Sequence, residues 1–351
     1  MNLARTFTFT AVAVAVAIGT ASGTSHADAG DDAQLCTLAS AAVGQPGTLI
    51  CLNIATGSTT QSIPLGATVA AAGGIGASLV GGGGRVLVTN QAGGALLFKE
   101  DDGHLKSPVV LQTNGEGSLS GALGRHGAYV LTGTTLRFFP HGRTVASSSK
   151  SLLLGDGSAA EVTLTDHNAY VSEKNGSLEA FALGRDGNLT SKATPVAGIS
   201  AGVIVGITGS ADLVVAPIAH LASNANQAEI SVVAGLEQIQ RVPTKEVAAC
   251  WTANDAGEAC VSNPGSMTVS CGRLGDDGFE SYTSAAASPA GESIFDLDMH
   301  DGLVGIQAIR GGLPVLLAYR RTSGDFLTPI GELPVGTTLA AGALLLPTVS
   351  R

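Results

Sequence analysis

Short apolar runs recur along the whole chain, separated by Gly, Asp and Asn turns, as β-strands are. RVLVTNQ, GAYVLTG, NAYVSEK, DLVVAPI, EACVSNP and GLVGIQA are runs of this kind, each ending near a polar residue. A further run then stops at a glycine turn: CLNIATG at Gly57, LLFKEDDG at Gly103, LRFFPHG at Gly142, EAFALGRDG at Gly187, ISVVAG at Gly235, VSCGRLGDDG at Gly278 and LAYRRTSG at Gly324. These glycines lie 39 to 48 residues apart, which marks seven units of propeller-blade length. Another short run, such as AEVTLT or IFDLDM, opens the unit.

Three or four strands per unit, joined by Gly, Asp and Asn turns, make one antiparallel sheet. A solitary sheet exposes both faces, and stacking seven of them radially buries both. The pattern therefore predicts an all-β, seven-bladed β-propeller in a single domain, with almost no helix. A β-helix would repeat at a shorter period. Residues 339–346 read as an innermost strand, while QLCTLAS and GTLICLNI read as second and third strands that lack one. The two ends of the chain are expected to share a blade.

Residues 1–29 fall outside this pattern. Arg5, an apolar stretch at residues 11–18 too short to span a bilayer, and the small-residue sequence Ala27, Asp28, Ala29 form a signal-peptide pattern. The propeller is then residues 30–351, in a secreted protein, extracellular or periplasmic, and no later segment is apolar enough for a membrane helix.

Export changes the reading of the five cysteines, because it permits disulfides and leaves at least one thiol over. Cys36 and Cys51 would oppose each other across a hairpin, and that pair is favoured. Cys250, Cys260 and Cys271 fall on three successive strands. Cys260 can face Cys271 or lie diagonal to Cys250, and one of the three stays free. Their spacing lacks the tight chelating pairs of a zinc site, so no metal is expected.

The 351 residues include 48 Gly, are 44% hydrophobic and only 13% charged, which excludes disorder. A net charge of −10 argues against nucleic acid and anionic membrane surfaces as partners.

The turns EDDGHL, GRDGNLT and RTSGDFLTPIG, with the segments AEVTLTDHNAYVSEKNGSLEAFAL and AACWTANDAGEACVSNPGSMTVSC, resemble in order and spacing the lactonase-like seven-bladed propellers. That family includes 6-phosphogluconolactonase and the fungal carboxymuconate cycloisomerase. The resemblance runs from about Leu35 to Leu346. It implies a catalytic Glu at the end of a second strand, and Glu173 stands there. The family's Arg-His pair falls at Ala160 and Glu161, its early inner-strand His has no counterpart in residues 116–124, and its Asn-Arg falls at Asn263 and Pro264.

Lactone opening needs proton transfer and a cation or donors for the developing oxyanion, so these replacements leave Glu173 without partners. Glu161 and Asp296, on predicted innermost strands, are ligand-binding candidates if alternation turns them into the central channel; a solvated strand end is the commoner fate of such acids. Trp251, the sole Trp, is a third candidate, able to stack on a sugar ring or to fill core. Asp296, Asp298, Asp301 and Gly302 lack the terminal Glu of a calcium loop. His126, His167 and His300 are expected at exposed turns. No local signature of a nucleophile elbow or phosphate loop is present, and no cofactor is called for.

The sequence thus predicts a secreted, lactonase-like, monomeric propeller. Its expected role is noncatalytic binding or scaffolding, with an unidentified small molecule, carbohydrate or protein as partner. The alternative is a divergent hydrolase of an unphosphorylated sugar lactone.

Overall fold

The computed structural model describes residues 33–42, 45–68, 79–89, 93–199, 201–220, 228–286, 293–321 and 327–346. The signal-peptide pattern and the Gly324 turn lie outside them. The described residues form seven antiparallel sheets and no helix. Six sheets have four strands, and blade 2 has five because His104–Leu105 and Val109–Leu111 both pair with Ala95–Asp101. Six of the seven repeated turn glycines are described, and all have positive φ, between 58° and 120°, in the turn from third to fourth strand. Only glycine adopts such a backbone without cost, which is why the repeat is written in this residue.

Seven innermost strands surround a central channel: Leu339–Leu346 in blade 1, then Leu79–Gly82, Ser118–Gly124, Ala159–Leu164, Thr208–Ser210, Trp251–Asp255 and Ser293–His300 in blades 2 to 7. Blade 1 joins both ends of the chain, as expected. Its innermost strand is C-terminal and pairs with Gln34–Ser40, from Gln34 opposite Leu346 to Ser40 opposite Leu339.

The core is divided into seven apolar clusters, one at each junction between neighbouring blades. Alternation supplies them, because each strand sends side chains to both neighbouring blades. Backbones also approach closely at the centre. A Cβ on Gly209 of blade 5 would stand 2.0 Å from the Leu164 carbonyl of blade 4, so no larger residue fits there without moving one strand. A second recurring junction uses tyrosine. Tyr129 in blade 3 donates to the Gly187 carbonyl of blade 4 at 2.6 Å, and Tyr170 in blade 4 donates to the Gly235 carbonyl of blade 5 at 2.7 Å. Each ties a second strand to the glycine turn of the next blade.

Cys36 and Cys51 face each other in register and form a disulfide, as do Cys260 and Cys271. Cys250, just before the innermost strand of blade 6, is the free thiol, and burial pushes it up to about 12. Both disulfides join second to third strand of their blade. Closing the 15-residue separation of Cys36 and Cys51 restricts the unfolded chain by about 3 kcal/mol. The Cys36→Ser, Cys51→Ser double variant should therefore lose about that much stability in chemical denaturation and loosen blade 1 first in hydrogen exchange. Peptide mapping of the oxidised protein that finds both thiols free would remove the basis for this expectation.

Candidate functional site

The channel has a volume of about 410 Å³, within the range of small-molecule sites. Its chemistry comes from the innermost strands. Glu161 enters from blade 4, Asp255 and Trp251 from blade 6, and Phe295, Asp296, Asp298 and His300 from blade 7. No Lys or Arg lines it. Four carboxylates therefore share one channel without a cation among the lining residues.

Three of these acids are held by backbone from the next blade. The Ile207 N–H donates to Glu161 Oε2 at 3.0 Å, the Ala343 N–H to Asp296 Oδ2 at 3.4 Å, and the Leu345 N–H to Asp298 Oδ2 at 2.8 Å. Leu297 N–H adds a bond of 2.9 Å to Asp296 Oδ1. The same device continues with Ser120 Oγ accepting from the Val162 N–H at 3.2 Å and with the Thr208 hydroxyl donating to Asn254 Oδ1. Side chains at the channel thus latch blade 3 to 4, 4 to 5, 5 to 6 and 7 to 1.

These bonds do not offset the desolvation. Protein surrounds the carboxyls of Glu161, Asp296 and Asp298, so their charged forms are poorly hydrated. Burial, with the Asp296 charge across the ring as the second cause, pushes Glu161 well above the usual carboxylate range. Burial, opposed by the Leu297 and Ala343 amides, lifts Asp296 to about 7. Asp298 rises to about 6 for the same first reason. The expectation that Glu161 and Asp296 end as solvated strand termini is corrected accordingly: both are half-buried in the channel wall. His300 also lines the channel instead of an exposed turn, whereas His167 is exposed and His126 half-buried.

Trp251 is half-buried channel wall, not core. Its indole meets the Phe295 ring edge-on, with centroids 5.9 Å apart at 76°, and it lies against Gly206, where a Cβ would come within 2.7 Å of Trp251 Cα. Behind this wall the Gln307 amide nitrogen and the Thr252 hydroxyl, in residues 1% and 8% exposed, have no hydrogen-bond partner among the described residues.

Glu173 stands elsewhere. It ends the second strand of blade 4, opposite Ala159, and is not among the channel-lining residues. It is fully buried, accepts a 2.5 Å hydrogen bond from the Ser158 hydroxyl at Oε2, and leaves Oε1 unpaired. Burial raises it to about 7, against the lowering effect of Ser158, with Glu179 and Asp156 adding repulsion. Asn263 is buried and donates to Thr268 and Ser270, so the residue at that family position serves blade 6 itself. Asp301 and Gly302, both with positive φ, are the two-residue turn between the first strands of blade 7. No group of three or more His, Cys, Asp or Glu among the described residues could hold a metal ion.

Asp255, Asp298, Phe295 and Gln307 were not singled out by sequence reasoning as channel groups. Asp298 had a signal, two residues beyond Asp296 on a strand. Gln307 had none, because it reaches the channel from a second strand.

The sole Trp makes the channel measurable. Relative to its quenching of free tryptophan, caesium ion should quench Trp251 fluorescence more than iodide does at pH 8, because the wall is anionic. Equal or stronger quenching by iodide would contradict the description of that wall.

No family model matches the chain, and no curated protein does either. Among solved structures, a functionally unknown protein from Desulfotomaculum acetoxidans DSM 771 superposes with a TM-score of 0.64 at 13% identity, covering 90% of this chain and 99% of that one. Hydrazine synthase of Kuenenia stuttgartiensis follows with 0.57 at 11%, covering 81% and 97%. The Cps50 (Swd1) β-propeller domain of Myceliophteria thermophila gives 0.57 at 8%, covering 78% and 98%. At such identities the likeness is one of fold. It agrees with the seven sheets and their shared closing blade, and the chain is a seven-bladed β-propeller.

Proposed function

We propose that the protein is an exported, noncatalytic binding propeller that takes its ligand in the central channel. The observation that carries this reading is the composition of the channel wall: carboxylates and an aromatic pair, with no Lys or Arg among the lining residues. Two disulfides suit an oxidising compartment.

The mature protein should accordingly show no appreciable hydrolysis of 6-phosphogluconolactone. A phosphorylated lactone needs cationic or amide donors at its phosphate and at the developing oxyanion. Loss of one such donor typically costs about a hundredfold or more in rate, and Ala160, Glu161 and Pro264 occupy the family positions for several. Robust turnover in a steady-state assay, abolished by Glu173→Gln, would replace binding with catalysis.

A divergent lactone hydrolase is the second reading. Glu173 favours it, being a buried carboxyl poised near neutrality with one oxygen unpaired. Turnover of an unphosphorylated sugar lactone, lost in Glu173→Gln, would establish that reading.

A further inference from the structure

We propose that blade 3, with the edges of the two blades flanking it, docks a linear anionic polysaccharide whose carboxylates pair with Lys99, Arg125, Arg143 and Arg185 on the face of the ring that carries the glycine turns. This is a second surface, apart from the channel, and it holds whatever ligand the channel takes.

The sequence sets blade 3 apart. Residues 117–155 contain Arg125, Arg137, Arg143 and Lys150 but no Asp or Glu, so all 28 acidic residues of the chain lie elsewhere. The net charge of −10 therefore conceals one basic sector.

The fold gathers these cations. Gly124, Gly127 and Pro140 stand side by side in the register of blade 3, which puts the turn at Arg125 and the turn at Gly142 at one end of the sheet. His141 ties the two together: its backbone N–H donates to the His126 carbonyl at 3.1 Å and its Nε2 to the Arg125 carbonyl at 2.8 Å. The Arg185 turn of blade 4 closes on the same place, since a Cβ on Gly187 would stand 2.8 Å from His126 Cβ, and the Ser147 hydroxyl donates to Asn188 Oδ1 at 2.7 Å. On blade 2, Lys99 lies opposite Arg85 and alternates with Leu97, which packs at the junction with blade 3.

Arg125, Arg143 and Arg185 are exposed, and like Arg85 and Lys99 they form no ion pair among the described residues. Arg137, Arg241, Arg273, Arg310 and Arg321 each hold a carboxylate. Two acids border the patch. Asp101 is engaged by Lys106 at 3.6 Å, and Asp186 accepts from the backbone and side-chain amides of Asn188. Like charges gathered without neutralisation repel one another, and an anion from outside removes that repulsion.

The spread over three blades selects the form of the anion. A small anion reaches the arginines of one pair of turns, whereas a chain with a charge on every unit engages successive blades at once. Guanidinium groups pair with carboxylates bidentately, and Thr144, Ser147 and Asn188 lie among them as partners for sugar hydroxyls. None of residues 125–126, 141–147 and 185–188 is Phe, Tyr or Trp, which disfavours stacking on nucleic-acid bases. Of these residues only Val145 is large and apolar, which disfavours a bilayer or a protein interface built on buried anchors.

The test is calorimetric titration of the oxidised mature protein with oligogalacturonate at pH 7, with a chelator present so that no metal bridges the uronates to acids of the protein. Saturable binding is expected, weakening about tenfold or more between about 50 and about 200 mM salt. The Arg125→Gln, Arg143→Gln, Arg185→Gln triple variant should bind about tenfold or more weakly while keeping its unfolding midpoint, because all three side chains are exposed. The Lys245→Gln, Arg320→Gln pair, in the blades across the ring, should bind as the unaltered protein does. Absence of binding at the lower salt would overturn the proposal, as would unchanged affinity in the triple variant or an equal loss in the distant pair. Equal affinity for the methyl-esterified, uncharged oligomer would also overturn it. Tighter binding of polyphosphate, single-stranded DNA or phosphatidylglycerol vesicles than of oligogalacturonate would do the same and assign the patch to that polyanion. All of these results leave the channel reading as it is, because no channel residue is altered.

Discussion

Truncation of the chain before Leu339 should abolish cooperative folding of the ring, the largest effect expected of any change considered. The lost strand supplies Ala340, Ala343, Leu344, Leu345 and Leu346, all buried, to the clusters on both sides of blade 1. Burying three leucines contributes about 5–9 kcal/mol, before the backbone ladder to Gln34–Ser40 is counted. That is comparable with the whole stability of a typical domain, about 5–15 kcal/mol. Loss of the strand also bares the edge of Gln34–Ser40, an invitation to intermolecular pairing. The expected result is a broad, aggregation-prone unfolding transition, and supplying a peptide of residues 339–346 in trans should sharpen it. A truncated chain that melts cooperatively near the full-length temperature would mean the ring does not depend on this closure.

The second large effect is on pH. Stability should be greater at pH 5 than at pH 8, the reverse of the usual acid sensitivity. Glu161, Asp296, Asp298, Glu173 and Glu179 all have folded-state values raised above the ordinary carboxylate range. Between about pH 4, where the unfolded chain titrates, and about pH 7, the folded state holds more protons than the unfolded state. Their favourable contribution is complete below the unfolded values and disappears as pH rises through the folded ones. For Asp296, moving from 3.8 to about 7, this is on the order of 4 kcal/mol at full ionisation. Glu116, Asp156 and Asp186 are lowered and oppose the trend only at more acidic pH. Chemical denaturation at pH 5, 6.5 and 8 reads the slope, and Glu161→Gln should flatten it while raising the midpoint at pH 8. A midpoint equal or lower at pH 5 would show that these carboxyls are hydrated as in the unfolded chain.

The blade number, the glycine turns, the Cys36–Cys51 hairpin and the shared closing blade were legible because each is a local pattern repeated at one period. The partner of Cys260 was not, since cross-strand and diagonal pairings look alike until register is fixed. The channel was legible only in part. Glu161 and Asp296 could be assigned to innermost strands, yet their joint burial depends on blades brought together by more than a hundred intervening residues. A register shift between Ile294 and Leu297 blurs the alternation there, so Phe295 and Asp296 both reach the channel. Glu173 shows the converse limit. A strand-end carboxylate reads the same whether it meets the channel or a loop of its own blade, and packing with Ser158 decided it.

The antiparallel register of the closing pair has a mechanical consequence. Gln34 and Leu346 stand side by side at one end of blade 1, with Ser40 and Leu339 at the other. A force applied between Gln34 and Leu346 therefore loads the inter-strand bonds one after another, in unzipping, and never shears them together. The ring is expected to open at low force at this seam while the other blades still stand. Extension beyond Cys36 then meets the disulfide to Cys51, which withholds the intervening chain from the released length until it is reduced.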